Sequence, residues 1–187
     1  MKKILSLMIC LLIIPGLVLA AETKAVVKTS TNLAENAKSA IMIEASSGKV
    51  LFDKNSHEKL PPASMTKMMS MLLIVEAVED GIISWDQKIT VSENASGMGG
   101  SQILLETGEQ MSVDDLFKGV AIMSGNDAVV ALAEAVAGTE DEFVKMMNKR
   151  AKELGLKDSV FKNPHGLDDA NHYSSAYDMS LIAKELV

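Results

Sequence analysis

The sequence predicts an α/β fold of the α+β kind: a long, mostly helical region preceded by a β-hairpin that begins an antiparallel sheet and leaves it incomplete. Three observations predict it. Two short runs of strand-forming residues, Ser39–Glu44 and Val50–Asp53, flank the turn Ser46-Ser47-Gly48-Lys49. Helix-start signals then follow one another, with Ser112, Thr139 and Ser175 each standing three residues before an acidic residue. Between hairpin and helices, Met65 to Val78 is apolar almost all the way round, which marks a helix enclosed on every side.

The 187 residues suffice for one domain with a sizeable core. The first 20 are of another kind. Lys2 and Lys3 precede an apolar run from Ile4 to Leu19 that Pro15-Gly16 interrupts, and Val18-Leu19-Ala20 has the small-residue pattern of a cleavage site before Ala21. The run is short for a membrane span, so residues 1–20 read as an export signal rather than an anchor. The only cysteine, Cys10, falls inside it, which removes disulfides and cysteine catalysis from the remainder. Without Lys2 and Lys3, 16 Lys+Arg face 25 Asp+Glu, a net charge of −9 that argues against a nucleic-acid partner. The three histidines, His57, His165 and His172, lack the spacing of a zinc site, so no metal is expected.

In order, residues 21–38 read as an exported leader or a loose first helix, and 39–187 as the main domain. After the hairpin, Asn55–Lys59 forms a surface connection. Pro61-Pro62 fixes the entry to the central helix, because proline suits the first turn of a helix and not its interior. Glu79-Asp80-Gly81 ends that helix. Lys88–Val91 is a short strand, and the glycine-rich stretch from Asn94 to Ser101 a loop. Ser112 opens a helix through Ile122. Ser124-Gly125-Asn126 breaks the helical pattern, which resumes to Ala137 and stops at Gly138. Thr139 caps a helix to about Leu154, residues 157–169 are irregular, and Ser175 opens a last helix whose apolar stripe includes Leu181, Ile182, Leu186 and Val187.

Two residues do not suit a plain core helix. Ser64 and Lys67 stand three apart and so share one face, and Lys67 has no acid along the helix to pair with. A lysine in apolar surroundings tends to lose its proton, and the positive end of the helix dipole acts the same way. A neutral amine beside a hydroxyl is a general base beside a nucleophile, and free N–H groups of the first turn can stabilise an oxyanion. A capping serine with a lysine that snorkels to water would have the same spacing. Sixty residues on, Ser124 and Asn126 flank a glycine in a turn and can aim at a common point; alone, they would be a helix stop and a fresh cap.

S-x-x-K followed by S-x-N is shared by class A β-lactamases and penicillin-binding proteins. The blocks Pro62-Ala63-Ser64-Met65-Thr66-Lys67, Ser124-Gly125-Asn126-Asp127-Ala128, Asn163-Pro164-His165-Gly166-Leu167 and His172–Met179 together resemble the D-alanyl-D-alanine carboxypeptidases, the low-molecular-weight penicillin-binding proteins of the bacterial cell wall. The resemblance implies a serine β-lactamase/D,D-peptidase-like fold. It implies that Ser64 attacks the bond between two D-alanines of a peptidoglycan pentapeptide and Lys67 takes its proton. Ser124 passes a proton to the leaving amine, while Asn126 holds Lys67 and binds the substrate. Water then hydrolyses the acyl-enzyme, β-lactams acylate the same serine, and no metal or organic cofactor takes part. The last two blocks recur in such enzymes although no chemistry demands them, and His165 reads as a loop histidine with a structural hydrogen bond.

One departure stands out. The K-T-G of the third motif is absent, and Glu106-Thr107-Gly108 has the wrong charge for binding a carboxylate and reads as a turn. The expectation is a chain truncated before the family's C-terminal strands, with apolar surface uncovered. An inactive remnant that only binds penicillin is therefore the alternative to a working peptidase. A β-lactamase is disfavoured, since no convincing deacylating acid lies between Asn126 and Val187. The expected location is the extracytoplasmic face of the membrane or the cell wall, with membrane association only through a further C-terminal segment.

Overall fold

The structure is a computed structural model that describes residues 33–187; the expected export signal and most of the expected leader lie outside the described residues. Strands β1 (Ala40–Ile43) and β2 (Val50–Lys54) pair antiparallel, with a bulge between Met42 and Ile43. The connecting turn is fixed by Glu44, whose carboxylate accepts from the Ser46 and Ser47 N–H groups. A 3₁₀ turn, Ala63–Thr66, leads into α1 (Lys67–Glu79). The central helix thus begins two residues later than its apolar run, because the prolines and a left-handed Ala63 (φ 47°) impose a tighter first turn.

A second small sheet joins β3 (Lys88–Thr90) to β4 (Gln110–Ser112). Between them lies α2 (Glu93–Ser96), one turn capped by Ser92 where a plain loop was expected. Helix α3 (Val113–Met123) starts at Ser112, α4 (Asn126–Ala137) after Gly125, α5 (Glu140–Glu153) at Thr139 and α6 (Ala176–Leu186) at Ser175. At Ser112, Thr139 and Ser175 the side-chain oxygen accepts the N–H three residues on, as a helix cap should.

The core lies between α1 and the helices around it. Met69, Ile74, Leu116, Leu132, Phe143, Met147, Phe161 and Ile182 are fully buried in it. Arg150 on α5 reaches Glu76 on α1 (2.7 Å) and Glu185 on α6 (3.0 Å), joining three helices at one end. The irregular stretch 157–173 is tied down by polar groups: the buried Asp178 carboxylate accepts from the Asp158 N–H and the Ser159 hydroxyl, both at 2.7 Å. Two isolated bridges, Val160–Tyr173 and Leu60–Ser174, carry that stretch to the segment before the 3₁₀ turn.

Candidate active site

Ser64 sits within the 3₁₀ turn and Lys67 at its end, so Lys67 Nζ lies 3.4 Å from Ser64 Oγ. The Lys67 residue is 3% exposed. Its other hydrogen-bond partner is the main-chain oxygen of His165, at 2.8 Å, and no carboxylate pairs with it among the described residues. Burial without an opposite charge lowers its pKa from 10.5 to about 8. The snorkelling alternative therefore does not hold: this lysine points into the protein. The Met65 N–H donates to Pro62 O, so of the N–H groups expected to be free it is already engaged; the Ser64 N–H has no backbone partner among the described residues.

The turn is pressed against the loop Asn163–Leu167. Gly166 has φ 91°, and a Cβ there would stand 1.9 Å from Ala63 O, so only glycine allows the approach. Asn163 shapes the loop by accepting the Gly166 N–H (2.6 Å) and donating to Leu167 O (3.0 Å). Ser70 on α1 donates to Pro164 O at 2.6 Å. The two blocks with no evident chemistry thus have a positional role. His165 contributes a carbonyl, and its ring accepts from the Leu167 N–H (3.1 Å) while Nε2 stands 3.4 Å from Glu140. His172 contacts Thr66.

Ser124 ends α3 in the left-handed conformation, φ 57°, which turns the chain at once into α4. Asn126 is buried at the start of α4, and its amide donates to Gly99 O at 2.7 Å. The Asn126 contact expected with Lys67 is not among the hydrogen bonds of the described residues; Lys67 donates to His165 O and Asn126 to Gly99 O. The same region of the molecule nevertheless holds both. The Cβ position of Gly100 is 2.7 Å from Asn126 Nδ2 and 3.6 Å from Leu167 Cδ2, and Leu167 follows the glycine that packs on Ala63. Asp127 braces this side by accepting from the Ile103 and Leu105 N–H groups, each at 3.1 Å. The His165 carbonyl and the Gly99 carbonyl are main-chain groups, so no residue type announced them.

One turn thus presents a hydroxyl, a buried amine of lowered pKa beside it and an N–H without a backbone partner among the described residues. A profile of D-alanyl-D-alanine carboxypeptidases matches residues 25–187. The chain is 54% identical over its whole length to the D-alanyl-D-alanine carboxypeptidase DacF of Bacillus subtilis, covering 48% of that protein. It superposes on the D-alanyl-D-alanine carboxypeptidase DacD of Francisella tularensis with TM-score 0.78 and 37% identity, over 80% of this chain and 36% of that one. It superposes on penicillin-binding protein D2 of Listeria monocytogenes in its ampicillin-bound form with TM-score 0.71 and 30% identity, over 80% and 61% of the two chains. The chain spans about half the length of the curated relatives it matches. With the serine–lysine pair and these likenesses together, the chain belongs to the D-alanyl-D-alanine carboxypeptidase family.

Proposed function

We propose that this chain carries the nucleophile half of a serine-type D-alanyl-D-alanine carboxypeptidase acting on peptidoglycan pentapeptides. The observation that carries the reading is the buried Lys67 amine, which has a hydroxyl and a carbonyl as partners and, among the described residues, no acid. In its neutral form the amine accepts the Ser64 proton as Oγ attacks the carbonyl carbon between the two D-alanines. The Ser64 N–H, which has no backbone partner among the described residues, is the donor assigned to the oxyanion that forms. Ser124 relays the proton to the departing D-alanine amine, and Asn126 binds the substrate peptide. Water then attacks the ester on Ser64 and frees the enzyme.

A β-lactam presents the same kind of carbonyl and acylates the same oxygen; the relative from Listeria was solved with ampicillin bound. Residues 1–20 direct export, which puts the protein at the outer face of the membrane, where this substrate lies. The test is covalent labelling with a fluorescent penicillin, together with release of D-alanine from a peptide ending in D-Ala-D-Ala. The protein is expected to label, and Ser64→Ala to lose the label entirely. Equal labelling of the alanine variant would remove Ser64 from the mechanism. Labelling without D-alanine release would reduce the activity to penicillin binding.

A further inference from the structure

We propose that His172 is a positioning residue for the serine–lysine pair, its imidazole joining the turn that carries them to the loop that supplies the acceptor for Lys67. The two ring nitrogens reach one segment each. Nε2 lies 2.8 Å from Thr66 Oγ1, and Nδ1 lies 3.2 Å from the Lys162 main-chain nitrogen. An amide N–H can only donate, so Nδ1 carries no proton. Nε2 then carries it and donates to Thr66. Burial holds the ring pKa below the usual histidine value and nearby His165 acts the same way, against the smaller opposing effect of Asp169. The ring is therefore neutral and its tautomer is fixed.

Both tethered segments end at Lys67. Thr66 is its neighbour in sequence, fully buried. Lys162 begins the short run to His165, whose carbonyl takes the Lys67 hydrogen bond. Phe161, just before, meets the His172 ring edge-on at 5.9 Å between centroids, which fixes the ring plane. Without the imidazole, the Thr66 hydroxyl would lose its partner in a fully buried place and the Lys162 N–H would lose its tie to the ring. The loop could then withdraw from α1, admit water to Lys67 and lengthen its bond to His165. The contact between Ser70 and Pro164 would remain, but it orients only the loop and not the turn.

The acylation arm of the test rests on the function proposed above; the other arms do not. Nitrogen-15 NMR of the ring at pH 7 should show a neutral imidazole protonated at Nε2. With 13C-labelled lysine, Lys67 should titrate near 8 in the unaltered protein and at least about one unit higher in His172→Ala. A one-unit rise leaves about a tenth of the neutral amine at pH 7, so penicillin acylation should slow about tenfold. His172→Gln retains a donor and an acceptor and should restore most of the rate. Thr66→Val fills the same space, cannot accept and should reproduce the loss, with the double variant no slower than the slower single one. Thr66→Val carries the test if His172→Ala does not fold. An unchanged Lys67 titration in Thr66→Val, or a ring protonated at Nδ1 at pH 7, overturns the proposal. Failure of the unaltered protein to label would sink the proposed function instead, while the two titration measurements would still decide the role of His172.

Discussion

The Lys67 amine has two opposing consequences, one for rate and one for stability. Its folded pKa of about 8 leaves roughly a tenth of it neutral at pH 7. If it is the base, acylation should rise about tenfold per pH unit below 8 and level off above. Stability follows the same group with its own sign. Burial lowers the pKa from 10.5 in the unfolded chain to about 8 in the folded one. Between those values the unfolded state binds the extra proton, so the folded state gains stability as pH rises. Below pH 8 the full penalty applies, of about 3 kcal/mol. Lys67→Met removes it at every pH, along with activity. Denaturant unfolding at pH 7 and pH 9.5 should therefore find the protein gaining on the Met variant by 1–2 kcal/mol, roughly, as pH rises. A constant difference, with a flat rate profile, would mean that the amine stays charged in the fold.

The loop Asn163–Leu167 and the 3₁₀ turn work as a unit, and Gly166 is where they touch. Gly166→Ala adds a methyl 1.9 Å from a backbone oxygen at a φ of 91°. Gly138→Ala is the control: φ is 83° and nothing lies within 4 Å of the added carbon. The control should lose about 1 kcal/mol from backbone strain alone, and Gly166→Ala about 3 kcal/mol or more, with penicillin labelling lost as the turn shifts. Equal losses in thermal unfolding and intact labelling would show that the loop does not brace the turn. Elements of this kind were unequally legible in the sequence. Ser112, Thr139 and Ser175 announced their helices because a cap needs only a hydroxyl and a fixed spacing. Ser64 and Lys67 were legible for the same reason, being two side chains on one turn. The cap at Ser92 was missed since its helix is a single turn with no apolar period. Strand β4 was missed because its last residue, Ser112, is also the cap of α3. The bond from Lys67 to the carbonyl of His165 was not legible, because that acceptor is a group every residue carries.

At the scale of the whole molecule the β-hairpin exposes apolar side chains among the described residues. Along an antiparallel sheet with one wet face, polar residues alternate outward. Here Met42 faces the same side as its cross-strand partner Phe52, while Ile41 and Ile43 face the other. Ile43 borders a groove with Ala183 and Val187 of the α6 end, so that side packs on the helix. On the far side Met42 is 49% exposed; Leu51, left unpaired at the bulge, is 55% exposed. Both faces thus carry apolar side chains, and among the described residues one of them is left wet. Exposed apolar patches on an otherwise acidic protein favour self-association and dye binding. The polypeptide should bind ANS and sediment faster as its concentration rises to tens of micromolar. Met42→Lys combined with Leu51→Lys should suppress both while leaving penicillin labelling unchanged relative to the parent, since neither residue belongs to the serine turn or its loop. A monomer that ignores ANS would mean that Met42 and Leu51 are shielded in solution, and the assignment of this face as uncovered would fall.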